Sequence, residues 1–216
     1  MVPCPWAPEI LRQAVSDPTL DLGVHLTLTS EWDHYRWGPL TSRDAGSGLV
    51  DDECCFWPSV DELCDGLDLE AAKAEMRAQV ERVKAAGVDF THIDGHMGAP
   101  MAPGLREFYV QLGLEYQVPV LLFRQIDEPM RVMGYDDETQ RELDAVIPQL
   151  EDAGLLVPDY FRITPLYGYG VEHPSAEIYE ELLRGLNPGV TYFSLHPNAP
   201  GDIETISPEA AAWRTF

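Results

Sequence analysis

Val88-Asp89-Phe90-Thr91-His92-Ile93-Asp94-Gly95-His96 is the stretch that decides how this chain folds. It follows the strongest helical pattern in the sequence, residues 68–86, where Leu69, Ala72, Met76, Val80 and Val83 recur at helical spacing and Gly87 marks the stop. Its own first half is β-like, so residues 88–93 are expected to form a short strand that delivers His92, Asp94 and His96 to its end. A His-x-x-x-His pair on a helix would set both rings on one face, as in zinc proteases. Here Gly95 lies inside the pair, and a strand running into a loop fits better. Residues 92 and 94 then share a face of the strand and His96 lies on the loop. Neutral imidazole and carboxylate are natural ligands of a catalytic divalent cation. The alternative is a hydrogen-bonded polar cluster at a strand end.

On either side of this stretch, strands and helices alternate. Residues 8–16 look helical and residues 22–29 alternate as a strand does. Residues 103–117 read as a helix and 118–123 as a buried strand. Residues 139–153 read as a helix that Pro148 kinks or breaks. Residues 160–164 are a strand, 175–186 an amphipathic helix and 190–195 a strand. This order is that of an α/β fold with a parallel sheet, open and doubly wound or closed into a barrel. No Gly-x-Gly-x-x-Gly loop and no P-loop is present, which disfavours a nucleotide fold. Residues 37–65 are turn-rich and predict a long excursion over one face.

Three more strands carry polar residues toward the same rim. His25 lies in Gly23-Val24-His25-Leu26-Thr27-Leu28-Thr29, on the polar face with Thr27 and Thr29. Alone it reads as a core histidine or a ligand. Arg124 ends the strand Val120-Leu121-Leu122-Phe123 and suits a substrate carboxylate, an oxyanion or an ordinary ion pair. His196 precedes Pro197 at a strand end and reads as a general acid, a ligand or a turn residue. In parallel α/β folds the C-terminal strand ends converge on one face, where sites are built. His34 and His173, in polar, turn-rich stretches, read as surface residues.

The 216 residues suffice for one domain with a real core, and five Trp, nine Tyr and seven Phe exclude disorder. The formal charge of −23, from 37 acidic and 14 basic residues, repels polyanions and excludes nucleic acid as a partner. No stretch is apolar enough to span a bilayer and no signal peptide is evident, so a cytoplasmic protein with no membrane partner is expected. Cys4, Cys54, Cys55 and Cys64 form no Cys-x-x-Cys pair and read as reduced thiols.

Gly23-Val24-His25-Leu26-Thr27-Leu28-Thr29, Thr91-His92-Ile93-Asp94-Gly95-His96 and Leu195-His196-Pro197, in that order, resemble the YdjC-like family, which includes chitooligosaccharide deacetylases and hopanoid-associated deacetylases. The resemblance covers essentially the whole chain. It implies a parallel (β/α) barrel-like deacetylase fold, present here as one domain over residues 1–216. It also implies a divalent metal cation, Mg2+ or Zn2+, held by one Asp and two His. The two histidines align with His25 and His96. His92 and Asp94 then support the ligands or face the substrate, His196 is the acid or transition-state group, and Arg124 is a substrate or oxyanion partner. The catalytic set implied is His196, Arg124 and Asp94.

Two features depart from the family. Its opening Asn-Ala-Asp-Asp-Phe-Gly strand, which supplies the metal Asp and a base, has no counterpart here. Met1 is therefore expected to be an internal methionine or the sequence a fragment, shorter than the family at both ends. After His96 the family often has further histidines, where this chain has Met97-Gly98-Ala99-Pro100, which suggests a different substrate.

The activity implied is metal-dependent removal of acetyl groups from N-acetylated sugars, with a small carbohydrate as substrate. The rivals are a non-catalytic relative that binds carbohydrate or a partner through Trp32-Asp33-His34-Tyr35-Arg36-Trp37, and another metal-dependent amidohydrolase. Apolar surface at missing edges would favour a homodimer.

Overall fold

The computed structural model describes residues 1–163, 175–197 and 199–208. Its chain divides into two compact units, Met1–Leu121 and Leu122–Phe216. Both are mixed α/β, and the four strands among the described residues pair in parallel.

In the N-terminal unit, helix α1 (Ala7–Ser16) leads into strand β1 (Gly23–Leu26), which pairs in parallel with β2 (His92–Gly95). Val24, Leu26 and Leu28 point into the core and are fully buried, as the alternation predicts. The ladder stops earlier than the expected strand 22–29 because a side chain takes over. Gln79, on helix α3 (Leu69–Ala85), accepts the Thr27 N–H at 2.9 Å and donates to the Thr27 carbonyl at 2.7 Å. One turn earlier on α3, buried Glu75 accepts Gln79 Nε2 at 2.8 Å and the backbone N–H groups of Leu40 and Thr41 at 3.1 and 2.9 Å. The pair thus anchors both the end of β1 and the start of the excursion, and its buried polar atoms find partners in each other and in these backbone groups.

The excursion holds a 3-10 turn (Ala45–Ser47), helix α2 (Val60–Cys64) and an isolated antiparallel bridge between Val50 and Phe56. Arg36 ties it together by donating to Asp51 at 2.7 Å and to the Phe56 carbonyl at 2.6 Å.

Helix α3 begins at an Asp68 cap that accepts the N–H groups of Glu70 and Ala71. It ends before Gly87, whose positive φ of 85° reverses the chain. The strand expected over 88–93 starts later, at His92. Helix α4 (Arg106–Tyr116) lies within the helix expected over 103–117. The expected strand 118–123 is reduced to a single parallel bridge between Ile93 and Val120, since Pro119 has no N–H to extend a ladder. Tyr109 of α4 secures this third row: its hydroxyl donates to the Ile93 carbonyl and accepts the Leu121 N–H, both at 2.9 Å.

The C-terminal unit contains α5 (Glu128–Val132), α6 (Asp137–Asp152), β3 (Tyr160–Ile163), α7 (Ala176–Arg184), β4 (Thr191–Ser194) and α8 (Ile203–Ile206). Pro148 sits inside α6 without breaking it. β3 and β4 pair in parallel, with Phe161 opposite Tyr192. Phe123, Phe161 and Tyr192 stack in succession at 5.6 and 6.1 Å. Buried Arg162 meets Asp127 through both terminal nitrogens, at 3.2 and 2.5 Å. His173 and Thr164 lie outside the described residues.

The parallel α/β order is therefore present. Among the described residues the strands form two separate two-stranded ladders, and the expected barrel is not seen as a closed sheet. No helix among the described residues is long and apolar enough to cross a membrane. All four cysteines are free.

Candidate active site

The β1–β2 register sets His25 opposite Asp94 and Gly23 opposite His92. Because strand neighbours two apart share a face, all four project to one side. His25 Nδ1 meets Asp94 Oδ1 at 2.8 Å. Next to it, the His92 ring fills the space over Gly23, where an added Cβ would lie 2.2 Å from His92 Nε2. Glycine at position 23 is thus what admits the histidine. Thr91 Oγ1 lies 3.0 Å from His92 Nδ1.

His96 begins a 3-10 segment (His96–Met101) that turns sharply through left-handed Met97 and Gly98, with φ of 52° and 72°. Pro100 closes onto Gly95, where a Cβ would stand 2.6 Å from the proline ring. Thr29 Oγ1 donates to the Met97 sulfur at 3.4 Å. This reversal carries His96 back over β1, so that His96 Nδ1 faces His25 Nε2 at 3.3 Å. The rings meet edge to face at 71°, and His96 Nε2 lies 2.8 Å from Glu31 Oε2.

The partners determine the tautomers. Burial raises the affinity of the Asp94 carboxyl for its proton, but the His25 hydrogen bond and neighbouring positive charge outweigh it and hold its pKa below the usual carboxylate value. Burial lowers the His25 pKa, against the opposing pull of Asp94. A neutral His25 facing an ionised Asp94 must carry its proton on Nδ1, which leaves a lone pair on Nε2. A neutral His96 that donates Nε2–H to Glu31 likewise presents a lone pair on Nδ1. Two lone pairs then face each other, and either a shared proton or a metal cation satisfies both.

The structure thus brings together His25, Asp94 and His96, with His92 beside them. It adds Glu31, which sequence reasoning missed: a glutamate between Ser30 and Trp32 has no spacing signal, and only the fold of the loop brings it to His96. Among the described residues no group of three or more His, Cys, Asp or Glu side chains converges as a metal-binding set.

The other two candidates lie in the C-terminal unit. Of the readings open for Arg124, the structure shows an ion pair. Its guanidinium reaches Glu151 at 2.7 Å, Asp159 at 3.1 Å and the Val157 carbonyl. His196 stands two residues beyond the end of β4 and is half-buried.

The chain is thus a parallel α/β protein with paired histidines backed by carboxylates, and sequence comparison identifies its family. Residues 1–214 match the YdjC-like protein family, and the chain belongs to it. A carbohydrate deacetylase of Thermus thermophilus is 30% identical over 202 residues, covering 93% of this chain and 67% of that one. A carbohydrate deacetylase of Brevibacillus brevis is 37% identical over 107 residues, 50% of this chain and 40% of that one. Among solved structures, an Enterococcus faecalis protein described as a cellobiose-phosphate cleavage protein superposes with a TM-score of 0.69 at 25% identity. That match covers 93% of this chain and 69% of the other. The chain thus spans about two thirds of the Thermus relative and less than half of the Brevibacillus one.

Proposed function

We propose that this chain is the working part of a carbohydrate deacetylase, a hydrolase that releases acetate from an N-acetylated sugar with the help of a divalent cation. The observation that carries the reading is the facing pair His25 Nε2 and His96 Nδ1 at 3.3 Å, each ring held from behind by a carboxylate. Membership of a family whose relatives bear the name carbohydrate deacetylase supports it.

The nitrogen pair is spaced as two ligands of one cation are, and the Asp that the family resemblance implies as a third has no counterpart in this chain. Two nitrogens on one tetrahedral zinc, each about 2.1 Å from the metal, stand about 3.4 Å apart. Histidine ligands characteristically give their second N–H to a carboxylate, which fixes the ring and raises its basicity. Asp94 and Glu31 fill that role for His25 and His96. When bound, Zn2+ or Mg2+ supplies polarisation of the acetyl carbonyl and an acidified water. His92, whose charge helps keep Asp94 ionised, supports the pair from the neighbouring position on β2. The family resemblance gives His196 the task of donating the proton that the departing amine needs. The family resemblance favours a parallel β/α barrel-like fold, in which chemistry sits at the C-terminal strand ends. Four free thiols suit a reducing compartment such as the cytoplasm.

The test is a Zn2+ and Mg2+ titration of the purified chain, followed by acetate release from N-acetylglucosamine. One cation per chain is expected, lost in the His25→Ala, His96→Ala variant, with acetate release abolished by chelator. Cation binding that survives the double substitution would remove the proposed ligands. Metal-loaded protein that releases no acetate from acetylated sugars would remove the activity.

A further inference from the structure

The proposed chemistry concerns only an acetyl group, yet an unusual concentration of aromatic rings borders the histidine pair. Trp6 stacks on Tyr35 with centroids 4.9 Å apart. Tyr35 lies 6.3 Å from Trp32 and 6.0 Å from Trp37, and Trp32 meets Trp37 edge-on at 5.9 Å. Trp37 in turn lies 6.2 Å from His96. The cluster is thus continuous with the site.

Its members have different duties. Trp37 is buried, and its indole N–H donates to the Thr29 carbonyl at 3.0 Å, so it is an anchor. Trp32 and Tyr35 are only half-buried, and Trp6 is 53% exposed. Trp32 and Tyr35 thus keep part of their ring area in water, where apolar area costs free energy. Around them stand polar groups: Asp33 and His34 are exposed, and the Tyr35 hydroxyl lies 3.6 Å from Cys4 Sγ. Burial and the neighbouring thiol push the Tyr35 pKa upward, so its hydroxyl stays neutral.

We infer that Trp32, Tyr35 and Trp6 form a subsite that stacks the pyranose ring of the substrate, next to the histidine pair. A pyranose presents a face of C–H bonds and a rim of hydroxyls, and the cluster offers the complement to both: aromatic faces edged by polar groups. An acyl chain would not need the polar rim, and a polyanion would meet the surplus of negative charge, −23 in formal units. Glu31 and Trp32 are consecutive, so the residue that fixes His96 also fixes the start of the platform. A ring stacked there is held beside the site while its acetyl group reaches the histidines. The inference rests on the proposed deacetylase reading for the identity of the ligand, but its test does not require turnover.

The test is direct binding, by calorimetry and tryptophan fluorescence, of N-acetylglucosamine and of acetamide, which has the acetyl group but no ring. The proteins are the unsubstituted chain, Trp32→Ala, Trp32→Phe and Trp6→Ala. Stacking is expected to make the sugar bind more tightly than acetamide. Trp32→Ala should weaken sugar binding by about threefold to tenfold, with acetamide unaffected, and Trp32→Phe should restore most of the loss. Trp6→Ala, at a half-exposed position, should fold normally and show the same selective loss if Trp32→Ala proves unstable. Equal sugar affinity in the folded alanine variants would overturn the subsite. So would a loss that affects acetamide equally. Stacking without acetate release would uphold the subsite and defeat the deacetylase reading; acetate release that is indifferent to Trp32 and Trp6 would do the reverse.

Discussion

At the scale of single residues, the His25–Asp94 pair has a consequence for stability in the metal-free protein. Burial lowers the His25 pKa below its ordinary 6.5, against the attraction of Asp94. The folded chain therefore binds fewer protons at this site than the unfolded chain does. The stabilising difference is complete above about pH 6.5 and is lost as the pH falls from there toward the lower folded value. Asp94 acts in a separate window. Its pKa, held below 3.8 by His25 and by neighbouring charge despite burial, contributes stability above about pH 4 that is lost as the pH falls through the folded value. Both slopes have one sign, stability rising with pH. With chelator present, the urea midpoint should drop between about pH 7 and pH 5.5, and less steeply in His25→Gln, which cannot titrate. A midpoint that is flat or rises on acidification would show that the ring is not held neutral.

At the scale of elements, α3 does more than cover the sheet. Gln79 replaces a missing strand partner for both backbone groups of Thr27, and Glu75 behind it holds the backbone of Leu40 and Thr41. Gln79→Ala would leave the Thr27 N–H and carbonyl buried without partners, each at a cost of about 1–3 kcal/mol. Urea unfolding of the variant should show a loss of about 2–5 kcal/mol, and hydrogen exchange should show the Thr27 amide newly unprotected. A loss below about 0.5 kcal/mol would mean that water reaches Thr27 and replaces the side chain.

The same elements show what the sequence could reveal. Periodicity located α3 to within a residue at each end, because seventeen residues of helix repeat one apolar stripe. It also placed His92 and Asp94 on one face and His96 beyond the strand, because two-residue alternation is local. It overextended β1 and 118–123, because a run of apolar residues does not tell whether a neighbour strand, a glutamine side chain or a single bridge will take the backbone hydrogen bonds. Glu31 was illegible for a related reason: its meeting with His96 spans 65 positions and depends on the Met97–Gly98 reversal. Arg124 was expected at the end of a strand that is reduced to the bridge at Val120, and its engagement with Glu151 and Asp159 came only from the structure.

At the scale of the whole molecule, charge is the dominant unlocalised term. Thirty-seven acidic residues face 14 basic ones, a surplus of 23 carboxylates. The described cations already have partners in large part: Arg36 with Asp51, Arg77 with Glu115, Arg124 with Glu151, Arg131 with Asp137 and Arg162 with Asp127. The surplus carboxylates therefore act mainly on each other, and that repulsion opposes the compact state. Exposed ion pairs contribute only about 0–1 kcal/mol each and weaken in salt, whereas screening relieves repulsion among all the unpaired groups together. Between 0.01 M and 0.15 M salt the screening length falls from about 30 Å, as wide as a small domain, to about 8 Å, the separation of near neighbours. Thermal unfolding at constant neutral pH should consequently move to higher temperature over that range of NaCl, by several degrees. The shift should be smaller near the pI of about 4.3, where the surplus is neutralised. A melting temperature that instead falls with added NaCl would show that the paired arginines contribute more than the surplus carboxylates oppose, and that the acidic surface is arranged rather than merely dispersed.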